Sequence, residues 1–190
     1  MTVHPIVITG EPVLHRRAAE VKDFDENLRR LVADMFETMD AAYGVGLAAP
    51  QIGVGLRIFV YGLHNDDGAP DRGVLVNPTL TTSKVPGTAP DPEEESEGCL
   101  SVPGESFPLK RADWAKISGF DAEGNPVEFE ATGWFARCVQ HEYDHLDGRL
   151  YVDRLNDRYA RKAKRSTKDH GWGVPGLTWL PGVEPDPFGH

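Results

Sequence analysis

Apolar residues recur at helical spacing over residues 26–43. Leu28, Leu31, Val32, Met35, Phe36 and Met39 follow an i, i+3, i+4 rule and form one apolar stripe, the mark of a core-facing helix. Asp25 is placed to cap its start, and Gly44 to end it in a left-handed conformation. A tight small-residue segment, GVGLAAPQ (44–51), follows. The runs 56–61 (LRIFVY) and 73–76 read as short strands, separated by a turn-rich loop holding Asn65-Asp-Asp-Gly68. Residues 81–97, rich in Pro, Ser and Thr, read as an irregular loop. Residues 114–120 and 127–130 read as a hairpin across the turn Asp121-Ala-Glu-Gly-Asn125. Thr132 can cap a helix through the following segment, and residues 154–168 predict a further, basic helix. Residues 171–190, heavy in Pro and Gly, predict an irregular tail pinned to the body by Trp172 and Trp179. Separate helices and few strands make the fold class α+β.

Composition narrows this to one soluble domain. The chain has 190 residues, 39% hydrophobic and 26% charged, with no repeat and no second core. Thirty acids against 20 bases give a net charge of −10, which argues against a chain-wide nucleic-acid surface and against DNA as a partner. No apolar run reaches membrane-spanning length, and the start MTVHPIVITG lacks a signal-peptide pattern. Two cysteines, Cys99 and Cys138, are too few for a secreted disulfide scaffold, so the expected compartment is the cytoplasm.

Chemistry enters at QHEYDHLDG (140–148), which contains His141-Glu142-x-x-His145. On a helix the two imidazoles lie about 40° apart around the axis, so both can face one ion, with Glu142 beside them to handle protons. Two histidines leave the site incomplete. A downstream histidine in H-E-x-x-H-x-x-G-x-x-H is excluded because Tyr151 stands there. A glutamate from a later helix is excluded as well, since the only later glutamate, Glu184, sits in Val-Glu-Pro-Asp-Pro. Cysteine remains. Cys138 shares the helix face, and a closed set of Cys99, Cys138, His141 and His145 would be a structural zinc site that binds a partner. An open set with Cys99 as third ligand would be catalytic, and Gly98 allows an unusual backbone angle before that thiol. A peptidase with an unusual ligand set is also compatible with these residues.

Three segments, GVGLAAPQ (44–51), EGCLS (97–101) and QHEYDHLDG (140–148), occur in this order, and together they resemble the three motifs of the bacterial peptide deformylases. The resemblance runs loosely from the N-terminal region to about Leu155, which suggests a catalytic body over 1–155 and an extension over 156–190 within the same domain. It implies small antiparallel sheets packed around a central metal-binding helix. It implies one metal held by Cys99, His141 and His145, with Glu142 as general acid/base, and Gln51 and the Leu100 N–H as donors to the developing oxyanion. Family members work with Fe²⁺, and Zn²⁺ or Ni²⁺ often occupies the purified protein. The implied substrate is the N-formylmethionine of new polypeptides, released as formate and a free amino terminus.

The residues suit that chemistry. A formamide is a poor electrophile, and a metal can lower the pKa of a bound water from about 15.7 to near 7. A thiolate ligand makes a soft, electron-rich site compatible with Fe²⁺ or Zn²⁺. Gly44, Val45 and Gly46 can pair with an extended peptide, and Val45, Cys138 and the stem of His141 are candidates for the methionine pocket. Arg137 is less apolar than such a pocket wants and is expected to face away. Of the acidic run 91–97, only Glu97 is placed to brace the site, by pairing with an arginine such as Arg111. The basic run Arg154, Arg158, Arg161, Lys162, Lys164, Arg165 and Lys168 reads first as a solvated helix face. Its functional reading is a salt-sensitive contact with ribosomal RNA.

Overall fold

The computed structural model describes residues 2–63 and 71–189. The turn expected at Asn65–Gly68 lies outside the described residues. In chain order the elements are β1 (Ile6–Val7), α1 (Glu26–Ala41), β2 (Gly46–Ala48), β3 (Ile58–Gly62), β4 (Arg72–Thr82), β5 (Ser96–Cys99), β6 (Val102–Pro108), β7 (Trp114–Phe120), β8 (Pro126–Thr132), α2 (Gly133–Leu146), α3 (Asp157–Asp169) and β9 (Thr178–Trp179). The strands form an antiparallel five-stranded sheet in the order β2-β3-β4-β7-β8, a β5-β6 ribbon and a small β1-β9 pair. This is the α+β arrangement expected, with α2 packed among antiparallel sheets. Among the described residues, no helix is long and apolar enough to cross a membrane.

Within LRIFVY, the run IFVY (58–61) is continuously apolar because β3 is buried on both faces. Ile58 and Val60 pack with Leu28, Val32, Met35 and Met39 of α1, while Phe59 and Tyr61 pack with Phe135, Ala136 and Val139 of α2. Alternation along one strand thus sets the two helices on opposite sides of the sheet. β2, at the edge of that sheet, is carried beside α2, where Gly46 lies against Glu142.

Asp25 caps α1 as expected, accepting from the Leu28 N–H at 3.0 Å. The end differs. Tyr43, not Gly44, takes the left-handed conformation (φ 53°). Its N–H bonds to Asp40 O and that of Gly44 to Met39 O, the paired bonds of a Schellman close. β4 runs well past residue 76 because a bulge at Asn77 (φ 51°) absorbs Pro78, and the Asn77 side chain bonds both backbone groups of Val21. Residues 81–97 are irregular only in their middle, and the β5-β6 ribbon was not anticipated because its second strand, VPGESFP, has no alternation to read.

Thr132 occupies the N-cap position of α2. α3 begins at Asp157, capped by Asn156 through the N–H groups of Arg158 and Tyr159. Arg154 therefore lies outside it, with Nε on Asp144 Oδ2 at 2.6 Å, and leaves the expected basic run. The tail is less irregular than expected. β9 pairs with β1, Trp179 is buried, and its indole N–H donates to Leu100 O at 2.9 Å.

Candidate metal centre

α2 carries His141 and His145 one turn apart, and β5 ends at Cys99 beside them. The two Nε2 atoms are 3.3 Å apart, and Cys99 Sγ is 3.5 Å from His145 Nε2. Bonds of about 2.0–2.3 Å to a tetrahedral ion separate ligand atoms by roughly 3.3–3.7 Å, so these three donors fit one ion as they stand. They are the group of potential ligands found among the described residues, lying within 4.8 Å of one another. Cys138 is not of that group. Its thiol points at Val45 O, 3.7 Å away, and burial pushes its pKa well above the usual value, with Glu142 and Glu97 adding to the effect. The closed four-ligand site is thereby overturned.

Glu97 orients one ligand, His141. Its Oε2 accepts from His141 Nδ1 at 3.1 Å, which leaves the His141 Nε2 lone pair facing the site. Arg111 grips the same carboxylate with two bonds of 2.9 Å, and Arg137 Nη1 adds one of 2.6 Å to Oε1. Burial raises the Glu97 pKa, but the hydrogen bonds and charges of Arg111 and His141 outweigh it and hold the carboxyl far below its usual range. His145 is also lowered, well below its ordinary value, by burial and then by the charge of His141, which favours the neutral imidazole a metal needs.

Glu142 is buried, and its Oε2 has no partner among the described residues. Burial pushes its pKa up to about 7, against the lowering charges of His141 and Arg111. Gln51 holds its amide in a fixed orientation. Oε1 accepts from the Ala48 N–H at 2.9 Å, and Nε2 faces Ser101 Oγ at 3.4 Å and Cys99 Sγ at 3.7 Å.

A cleft of about 370 Å³ opens beside these groups. Its walls include every residue expected to bind substrate, Gly44, Val45, Gly46 and Cys138, along with Gln51, Leu100 and Glu142.

The polypeptide deformylase family model matches residues 3–161. The chain belongs to that family. It is 60% identical to the peptide deformylase of Mycolicibacterium paratuberculosis (strain ATCC BAA-968 / K-10) over 197 aligned residues, all of both chains, and 59% identical to that of Mycobacterium marinum, again over both full lengths. Among solved structures, the peptide deformylase of Legionella pneumophila superposes with a TM-score of 0.74 at 38% identity, covering 89% of this chain and 95% of that one. The Ehrlichia chaffeensis peptide deformylase in complex with actinonin gives 0.76 at 34% identity, covering 89% and 98%.

Some features of this deformylase site were not read from the sequence. Arg137 does not face away. It lines the cleft while its guanidinium is spent on Glu97 and on Leu109 O, 2.7 Å away, so it presents mainly its stem. Trp134, Leu63 and Phe188 also line the cleft. Helical spacing of Trp134 with Cys138 and His141 could have found the first; nothing local marks Phe188. Gly98 adopts no left-handed angle, and it lies against the Phe188 ring, which a Cβ there would meet in ordinary contact at 3.5 Å.

Proposed function

We propose that this chain is a metal-dependent hydrolase that removes the formyl group from the N-terminal formylmethionine of newly made polypeptides, with Cys99, His141 and His145 as ligands and Glu142 as the proton-handling group. The observation that carries the reading is the buried Glu142 Oε2, without a partner among the described residues, standing beside three converging ligand atoms. A divalent ion held there would supply an activated water and polarise the formyl oxygen. The soft thiolate donor suits Fe²⁺, with Zn²⁺ or Ni²⁺ as substitutes.

Glu142 takes the proton as the water oxygen attacks the formyl carbon, then returns it to the departing amine. The Gln51 amide N–H and the Leu100 N–H donate to the oxygen on which charge collects, and Gln51 is pre-aimed by its bond to Ala48. Gly44, Val45 and Gly46 pair with the extended peptide, and Val45 and Cys138 contact the methionine side chain. The catalytic body spans 1–155, and 156–190 is an extension folded onto the same domain. The place of action is the cytoplasm, where new chains emerge, and α3 offers a basic face to ribosomal RNA.

The test is formate release from a short formyl-methionyl peptide by protein purified without oxygen and assayed for metal. Turnover with formyl peptide only is expected; cleavage of an unformylated peptide bond instead would make it a peptidase.

A further inference from the structure

The C-terminal tail is built back onto the active-site cleft. After the β1-β9 pairing, Trp179 donates its indole N–H to the carbonyl of Leu100, in the segment that follows Cys99. The chain then passes Tyr43, sharing a small depression with it through Gly182, Glu184 and Asp186. It closes in a turn in which Asp186 Oδ1 accepts from the Phe188 N–H at 2.9 Å.

One glycine of the β5-β6 ribbon, Gly104, makes room for this return, and another, Gly98, lies in ordinary contact with it. A Cβ on Gly104 would lie 2.9 Å from Pro187 O, and one on Gly98 would lie 3.5 Å from the Phe188 ring. Phe188 thereby becomes part of the cleft wall, two positions from the chain end.

The cleft mouth is apolar in a way that catalysis does not require. Tyr43 is 67% exposed, Trp134 55% and Val45 49%, and all three line the cleft. Tyr43 also holds a left-handed backbone, uncommon for a residue other than glycine. Large apolar groups kept at a concave mouth mark a binding surface.

We propose that Phe188, with Tyr43, forms a subsite for the residue that follows methionine and selects an apolar side chain there. The proposal rests on the deformylase reading. With the formyl carbon at Glu142 and the methionine side chain directed at α2, the next side chain of an extended peptide points the other way, toward the mouth. There it meets the Tyr43 and Phe188 rings instead of water. Phe188 is a specificity determinant that touches substrate and takes no part in proton transfer.

The experiment compares kcat/KM for formyl-Met-Leu-peptide and formyl-Met-Gly-peptide in metal-loaded wild type, Phe188→Ala and Phe188→Leu, with melting temperature measured alongside. The Leu/Gly ratio should fall about fivefold in Phe188→Ala, through KM, and largely recover in Phe188→Leu. An unchanged ratio in an active Phe188→Ala would overturn the proposal alone. So would a rise in activity on both peptides, the mark of a plug, or an equal loss on both with a lower melting temperature. No formate from either peptide in the wild type would overturn the deformylase reading, and this proposal with it.

Discussion

Gly46 touches Glu142 at a point where no side chain fits. A Cβ on Gly46 would meet the Glu142 carboxylate carbon at 2.8 Å and its Cγ at 2.9 Å. The edge strand β2 therefore presses bare backbone against the proton-handling group and sets where that carboxylate stands. Gly46→Ala should displace it while leaving Cys99, His141 and His145 untouched. The expected outcome is a loss of about 100-fold or more in kcat with one metal still bound per chain. Full activity in the alanine variant, read by formate release, would show that the carboxylate position is not critical.

The ligand set separates from the catalytic group by metal content. Glu142→Ala should keep its metal and lose activity by about 10²–10⁴-fold. Cys99→Ala should lose both. Cys138→Ser, whose thiol points at Val45 O and away from the ligand cluster, should keep its metal. Elemental analysis of the three variants after gel filtration decides the matter.

Arg111 is a buried keystone rather than a surface charge. It bonds both oxygens of Glu97 and, through Nη1, Asp144 Oδ2 at 2.6 Å, with all three side chains almost wholly buried. Arg111→Met takes a shared cation from two buried carboxylates, leaving Glu97 to Arg137 and His141 and Asp144 to Arg154, and should cost about 3 kcal/mol. In a chain of this size that lowers Tm by on the order of 10 °C. A thermal melt that does not move would mean the network is not structural.

A thiolate-ligated Fe²⁺ site open to a cleft should be oxidised readily. Activity of the iron form is expected to decay in air, and more slowly after exchange for Ni²⁺. Half-lives measured in parallel with and without oxygen check this; equal stability of the two metal forms would contradict it.

α3 keeps six of the seven basic residues first grouped together, because Arg154 is engaged with Asp144. If α3 contacts ribosomal RNA, binding should weaken steeply with salt and with neutralisation of Arg158, Arg161, Lys162, Lys164, Arg165 and Lys168, while Arg154→Gln should affect stability more than binding. Co-sedimentation with ribosomes across a salt series distinguishes the two.

Much of the site was legible because its signals are local. His141, Glu142 and His145 lie within two turns of one helix, and helical geometry alone brings them to one face. α1 and the β7-β8 hairpin were legible for the same reason, their apolar periods being strong over seven residues or more. Failures came where the hydrogen bonds formed in the fold, local or long-range, overruled a residue-type preference. Gly44 looked like the left-handed residue, yet Tyr43 takes that angle. The strand read over 73–76 was too short, because the Asn77 bond to Val21, 56 residues away, holds a bulge that lets β4 continue past Pro78.

Sequence by itself determined the helix that carries the two imidazoles, the exclusion of downstream ligands, the α+β class and the resemblance to one family, because each depends on spacing within a few turns. Only the tertiary structure decided which of two cysteines meets the histidines, that Arg137 turns inward to Glu97, and that Phe188 returns to the cleft. Those outcomes depend on groups 40 to 90 residues apart in the chain, and the direction of a side chain across such a distance is set by what the packed sheets leave room for.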